Sequence, residues 1–214
     1  MMQRIRQSMG KLNNNQGFTL VEMALVLIII GIIIGAVVKG KDVMKSAEQK
    51  RLYTTFIREW QVAYNNYYDR TGMILGDTDT VGNTGTRDGL CSLATGAHLV
   101  SQLSRVGLTP PAQGPTGASN VRTYTDAMGR QYTLTLVFAN NTNVGNHIRI
   151  TGTPGVPFDL GMAWDRIIDE TADGNLGDML YTSDVTGTGV NDWPANISTA
   201  TPSTGNGIYL RMEF

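Results

Sequence analysis

The chain has 214 residues, of which 41% are hydrophobic and 16% are charged. This composition is too apolar for a disordered chain, and the length suits one compact domain with an appendage or two small domains. A single cysteine excludes an intrachain disulfide framework and a thiolate zinc site, and two histidines argue against a multi-histidine metal centre.

The net charge of −1 conceals an uneven distribution of charge along the chain. Residues 1–70 contain ten Lys and Arg against five Asp and Glu, whereas residues 71–214 contain seven against thirteen. The first part is therefore basic and the second is acidic, which indicates a chain organised in two parts.

The first predicted element is an apolar segment that follows a short basic leader. Residues 18–38 read FTLVEMALVLIIIGIIIGAVV and contain one charged residue, Glu22. A helix of this length spans roughly 31 Å, about the thickness of a hydrocarbon core, so residues 18–38 are predicted to cross a membrane. The basic leader favours a cytoplasmic N-terminus. Because a charge in a membrane helix is costly, we expect Glu22 either to reach the headgroups or to meet a positive partner after assembly.

The junction between the leader and the apolar segment resembles that of the type IV prepilins, which include major pilins, minor pilins and the pseudopilins of type II secretion. The resemblance is carried by GFTLVE at residues 17–22, between a basic leader and an unbroken apolar run, and it covers about residues 1–70. It implies that a prepilin peptidase cleaves between Gly17 and Phe18 and that Phe18 is then N-methylated. It also implies that Glu22 neutralises the α-amino group of Phe18 in a neighbouring subunit.

The helix is predicted to continue to about residue 70, because no proline occurs between Phe18 and Arg70. Its second half carries large apolar residues at spacings of three and four, which place them on one face: Tyr53, Ile57, Trp60, Tyr64 and Tyr67. We expect this face to pack against a sheet. The predicted organisation is a leader at 1–17, a long helix at 18–70 and a head at 71–214.

The head is predicted to be a small antiparallel sheet, so the fold class is α+β, with a long N-terminal helix that is half transmembrane and half amphipathic. The predicted elements are a helix at 92–106, a hairpin of strands at 121–125 and 131–139, a strand at 147–151, a helix at 158–168, and strands at 179–182 and 208–214. A polar loop at 73–89 precedes them.

The most distinctive local segment of the head is an acidic stretch at residues 164–184. It contains six acidic residues and one basic residue, and two glycines allow a tight turn. The oxygen-bearing side chains around these glycines are of the kind that calcium prefers, and the candidate ligands are Asp169, Asp173, Asn175 and Asp178. Leu180 stands where an EF-hand requires glutamate. Two interpretations of this stretch stay open, a calcium-stabilised loop and an ordinary acidic turn. Apart from possible calcium, we expect the protein to require no cofactor.

The leading functional hypothesis is a structural subunit of a type IV pilus or pilus-like filament, and not an enzyme. No catalytic constellation and no nucleic-acid-binding motif occurs in the sequence. The resemblance implies a precursor in the bacterial inner membrane with its head outside the cytoplasm, and then an extracellular pilus or a periplasmic pseudopilus. The implied partners are further copies or other pilins, the prepilin peptidase, the inner-membrane assembly machinery and, before assembly, membrane lipid. The alternatives are a type II secretion pseudopilin and a non-polymerising single-pass membrane protein with a calcium-binding head.

Overall fold

The computed structural model of the chain describes residues 17–77, 87–91, 95–126, 128–185, 189–195 and 205–212. The leader before Gly17, most of the predicted loop at 73–89, the first three residues of the predicted helix at 92–106 and the end of the predicted strand at 208–214 lie outside the described residues. By its internal contacts the chain divides into two units, Met1–Met44 and Lys45–Phe214.

A continuous helical stretch covers Leu20–Thr71. It consists of α1 (Leu20–Leu52), a π-helical segment (Tyr53–Arg58) and α2 (Glu59–Thr71). The stretch ends at Gly72, whose φ of +66° is left-handed and whose N–H donates to the C=O of Tyr68 at 2.7 Å. The prediction of a long helix to about Arg70 is confirmed.

The π-helical segment is a feature that sequence periodicity did not predict. The hydroxyls of Thr54 and Thr55 each donate to the C=O of Arg51 at 2.9 Å, and such side-chain bonds compete with the helical ladder. The Nη2 of Arg122 donates to the C=O of Thr55 at 3.4 Å. Side-chain donors thus contact helix carbonyls just before and within the segment, those of Arg51 and Thr55.

The apolar part of α1 is not buried within the described chain. Its most apolar window of 18 residues has a mean hydropathy of 2.9, and no residue of that window is buried. The large apolar side chains between Phe18 and Val38 are 40–91% exposed. By length and composition this helix is able to cross a membrane, and a surface of this kind needs an apolar environment.

The head contains a sheet whose five strands are all antiparallel and lie in the order β1-β2-β3-β5-β4. The strands are β1 (Val121–Thr125), β2 (Gln131–Asn141), β3 (Gly145–Thr153), β4 (Met179–Thr182) and β5 (Gly207–Arg211). The head helices are α3 (Gly96–Arg105) and α4 (Phe158–Ile168). Every predicted strand and helix is present, and β2 and β3 are each longer than predicted by two residues or more.

The core of the head forms where the aromatic face of the helix packs on the sheet. Trp60 meets Phe138 of β2 edge to face at 6.0 Å between ring centroids, and Tyr64 stacks on the same ring at 5.5 Å. On β2 the alternating residues from Tyr132 to Phe138 are at most 1% exposed. Of the predicted helix face only Tyr53 is half-buried, and the other four residues are buried. The predicted packing is confirmed.

Candidate functional site: the junction before the apolar helix

The first turn of α1 is closed by a reciprocal pair of hydrogen bonds between Thr19 and Glu22. The hydroxyl oxygen of Thr19 accepts the N–H of Glu22 at 3.2 Å, and Oε2 of Glu22 accepts the N–H of Thr19 at 2.9 Å. The Thr19 hydroxyl also donates to Oε2 at 3.0 Å. This is the capping box that a Thr-x-x-Glu sequence forms at a helix N-terminus. The Thr19 and Glu22 side chains thus each satisfy one backbone N–H group that the helix itself leaves unpaired.

The residues immediately before this cap are open. Phe18 is 79% exposed, and among the described residues, its chain neighbours aside, no atom lies within 4 Å of the position that a Cβ on Gly17 would take. The structure therefore places Gly17 and Phe18 together in a non-helical segment, followed directly by a capped and exposed apolar helix. Gly17, Phe18 and Thr19 are all exposed.

Comparison with known proteins bears on this junction. The family model of the prokaryotic N-terminal methylation motif matches residues 12–38. The chain carries the type IV prepilin signature. The same comparisons find no match among curated proteins and none among solved structures. The signature and the apolar helix fit a type IV pilin-like or pseudopilin protein, which is a structural subunit with a membrane anchor.

The prepilin signature also implies processing by a prepilin peptidase and assembly into filaments. The matched range includes Gly17, Phe18 and Glu22, the residues for which the sequence predicted cleavage, methylation and assembly roles. The individual roles of these three residues remain predictions. The capping box is what sequence reasoning missed, although the Thr-x-x-Glu pattern at the start of an apolar run is its sequence signal.

The acidic turn of the head is held by the carboxylate of Asp169, which directly follows α4. Its Oδ1 accepts the N–H of Asp178 at 3.0 Å and its Oδ2 accepts the N–H of Met179 at 2.9 Å. Gly177 is required there, because a Cβ at this position would lie 2.5 Å from the Asp169 Cγ. The Asp169 carboxylate therefore folds the turn back onto the start of β4.

The other candidate calcium ligands do not converge with Asp169. Asp173 accepts hydrogen bonds from the hydroxyl of Thr171 at 3.3 Å and from the N–H of Leu176 at 3.4 Å, and Asn175 and Asp178 are exposed. Across the part of the chain that the structure describes, no three His, Cys, Asp or Glu residues form a group that could hold a metal ion. Calcium binding at this turn stays a prediction.

Asp165 is a buried acidic residue that sequence reasoning did not single out. It is fully buried in α4, and its Oδ2 accepts the indole N–H of Trp193 at 2.6 Å and the N–H of Gly174 at 3.2 Å. Burial raises the pKa of Asp165 to about 6, and the charges of Asp169 and Asp173 act in the same direction. No local pattern could have shown this burial, because Trp193 is distant in sequence.

His147 and Cys91 are buried in the head. Burial lowers the pKa of His147 to about 4, and its Nδ1 lies 2.8 Å from the C=O of Gly145. Burial raises the pKa of the Cys91 thiol to about 12, and its Sγ lies 3.5 Å from the C=O of Leu75. A thiol held protonated is a poor nucleophile, so Cys91 acts as a core residue. Cys91 is a free thiol.

Proposed function

We propose that the chain is a subunit of a type IV pilus or pilus-like filament that is made as a prepilin, cleaved between Gly17 and Phe18 and N-methylated on Phe18. The observation that carries the proposal is the exposed Gly17–Phe18 junction directly before a capped helix whose exposed apolar run lies within the matched motif. In the membrane the helix is covered by lipid, and in a filament it is covered by the helices of other subunits.

Glu22 has two roles in this proposal. Before assembly its carboxylate caps α1 through Thr19, so its charge is partly satisfied by hydrogen bonds within its own chain. During assembly it pairs with the protonated α-amino group of Phe18 in a neighbouring subunit, since an amine with a pKa near 8 is largely charged at neutral pH. The pair removes two isolated charges from an apolar filament core.

Two substitutions of Glu22 separate capping from charge. Glu22→Gln keeps the capping box, because glutamine also serves at this position, but it removes the negative charge. Glu22→Val removes both. Incorporation into filaments is measured by shearing cells and immunoblotting the sheared fraction, with Glu48→Gln as a control for charge loss elsewhere in α1. We expect Glu22→Gln and Glu22→Val to be impaired alike and Glu48→Gln to be incorporated normally.

The outcomes of this experiment separate the two roles. Normal incorporation of Glu22→Gln with loss in Glu22→Val would assign assembly to the cap and reject the charge pair. Normal incorporation of both would reject any assembly role for Glu22. The location of the wild-type subunit, in sheared extracellular pili or in a periplasmic filament, distinguishes a pilin from a pseudopilin.

A further inference from the structure

Strand β1 runs alongside the long helix towards Lys45, where the unit Lys45–Phe214 begins. Near the start of β1, Nη2 of Arg122 donates to the C=O of Thr55 at 3.4 Å, and at its end the C=O of Thr125 accepts Nζ of Lys45. Residue numbers rise along β1 as they fall along the helix, so the two elements are antiparallel. The turn that follows β1 therefore lies at the end of this unit where its helix begins.

The turn from β1 into β2 is built around the carboxylate of Asp126, and we call its described residues, 126 and 128–130, the β1–β2 turn. Oδ1 of Asp126 accepts the N–H groups of Met128 and Arg130, each at 2.9 Å, and its Oδ2 accepts Nε of Arg130 at 2.7 Å. Gly129, with a left-handed φ of +81°, donates its N–H to the C=O of Asp126 at 3.1 Å. These bonds hold the Asp126 side chain inside the turn, where it is 4% exposed.

The β1–β2 turn presents an apolar side chain and a cation to its surroundings. Met128 is 58% exposed, and the side chain of Arg130 is 38% exposed. Two acids at this end of the unit are paired with cations, Asp126 with Arg130 at 2.7 Å and Glu48 with Lys45 at 3.5 Å. An exposed apolar side chain beside a cation suits the boundary between acyl chains and phosphate headgroups, because each group finds a matching environment there.

The length of chain between the apolar run and Lys45 brings lipid within reach of this turn. The helical stretch Leu20–Thr71 is continuous, and its apolar run ends at Val38, seven residues before Lys45. Seven helical residues rise about 10 Å, and the headgroup layer adds about 5–8 Å to each side of the hydrocarbon core. In a chain anchored through residues 18–38, Lys45 therefore lies within about 5 Å of the headgroup layer. Its Nζ bonds Thr125, the residue from which the turn starts.

We propose that the β1–β2 turn rests on the phospholipid headgroups of the membrane that anchors the helix, with the Met128 side chain in the interface and Arg130 beside the phosphates. The inference rests on the membrane anchorage in the proposed function and adds a second lipid contact outside the helix. Membrane lipid is the occupant because the turn lies at the end of the unit that joins the apolar run, and because its exposed side chains match the interface. The contact restricts movement of the head before assembly and is lost when the subunit leaves the membrane.

Fluorescence quenching by lipid tests the proposal on the full chain. A nitrobenzoxadiazole fluorophore is attached at Met128→Cys, and the chain is reconstituted into phosphatidylcholine–phosphatidylglycerol vesicles with or without lipids that carry a nitroxide on the headgroup. Thr142→Cys is the matched control, because Thr142 is exposed in the turn between β2 and β3, at the opposite end of β2. The chain without either substitution is labelled in parallel and measures any reaction of Cys91, which is buried.

We expect the nitroxide lipids to lower the emission of the label at position 128 at least about twofold and to leave the emission of the label at position 142 unchanged. Flotation of the vesicles first measures anchorage, and a chain that does not float overturns the anchorage and the docking together. A chain that floats without quenching at position 128 overturns the docking alone. A blue shift there without quenching would show that protein covers the turn, and equal quenching at both positions would show that the fluorophore itself enters the lipid. Either result would also overturn the docking.

Discussion

The apolar half of the long helix exposes its apolar side chains, whereas the head buries its own. In the helix every large apolar side chain from Phe18 to Val38 is exposed. In the unit Lys45–Phe214, which is called the head from here on, the rings of Trp60, Tyr64 and Phe138 are almost fully buried. The head completes its own core, and the helix does not. The first region therefore needs an apolar environment that the described part of the chain does not supply, and the second depends on contacts within the chain.

The largest expected effect distinguishes the two regions directly. Trp60→Ala removes a ring that packs on Phe138 and donates its N–H to the C=O of Ser119 at 3.2 Å, and we expect it to lower the free energy of unfolding by about 3–5 kcal/mol. Ile30→Ala, in the exposed helix, should change it by less than about 0.5 kcal/mol. Denaturant unfolding of the full chain in micelles, followed by tryptophan fluorescence, measures both.

Equal losses in these two variants would contradict the division into a self-sufficient head and a dependent helix. The fluorescence signal reports on the head alone, because all three tryptophans, Trp60, Trp164 and Trp193, lie beyond residue 45. The signal in Trp60→Ala comes from the two that remain.

The second prediction concerns the acidic turn of the head. Asp169→Ala removes two carboxylate bonds to backbone N–H groups, and we expect it to lower the free energy of unfolding by about 2 kcal/mol. Asp173→Ala removes two longer, more exposed bonds and should cost less than about 1 kcal/mol. Melting is measured once with millimolar calcium and once with a chelator.

The two melting conditions decide between the two interpretations of this turn. A higher melting temperature with calcium, lost in Asp173→Ala, identifies a calcium-stabilised loop. Equal melting temperatures identify an ordinary acidic turn. A larger loss in Asp173→Ala than in Asp169→Ala under both conditions would contradict the hydrogen-bond account of the turn.

The third prediction concerns pH, because two buried groups of the head respond to it in opposite directions. The pKa of Asp165 is raised to about 6, so the folded chain gains stability relative to the unfolded chain as pH falls from about 6 towards 4. The pKa of His147 is lowered to about 4, so stability is lost as pH falls from about 6.5 to about 4. The two contributions partly cancel in the wild-type head.

Asp165→Asn removes one of these opposing contributions. Between pH 7 and pH 5 we expect this variant to lose about 1 kcal/mol of stability relative to the wild-type chain. Chemical unfolding at both pH values, in chelator, measures the difference. A variant whose stability follows the wild-type curve at both pH values would show that Asp165 does not titrate in this range.

The smallest expected effect concerns backbone strain in the turn after α4. Glu170 has a φ of +66°, a left-handed conformation that favours glycine and that commonly ends a helix. We expect Glu170→Gly to raise the free energy of unfolding by about 0.5 kcal/mol. Glu170→Ala, which keeps a Cβ, is the matched control and should bring no gain. Equal stabilisation by both variants would assign the effect to loss of the charge rather than to relief of strain.

The features predicted from the sequence are those that a local pattern determines. Spacings of three and four residues predicted that Trp60 and Tyr64 lie on one helix face. The alternation of apolar with other residues from Tyr132 to Phe138 predicted a strand with one buried side, and both sets are buried. The Gly17–Phe18 junction was recognisable because its residues are consecutive. In each case the information lies within one or two turns or one strand.

The features that the sequence did not show depend on contacts between distant segments. Asp165 is buried because Trp193 covers it, and the π-helical segment is contacted by Arg122 from β1. His147 lies buried under a ring contact with Tyr209 at 4.6 Å, although its strand was predicted. Burial of this kind follows from the tertiary arrangement and produces no periodic pattern of apolar residues in the sequence.

The most direct test of the central claim is the mass of the mature N-terminus. The chain is expressed in bacteria that make a prepilin peptidase, and its N-terminal peptide is sequenced by mass spectrometry together with the Gly17→Arg and Gly189→Arg variants. The account predicts a chain that begins at N-methylated Phe18 in the wild type and in Gly189→Arg, and an uncut chain in Gly17→Arg. A wild-type chain that keeps residues 1–17, or cleavage of Gly17→Arg between positions 17 and 18, would contradict it.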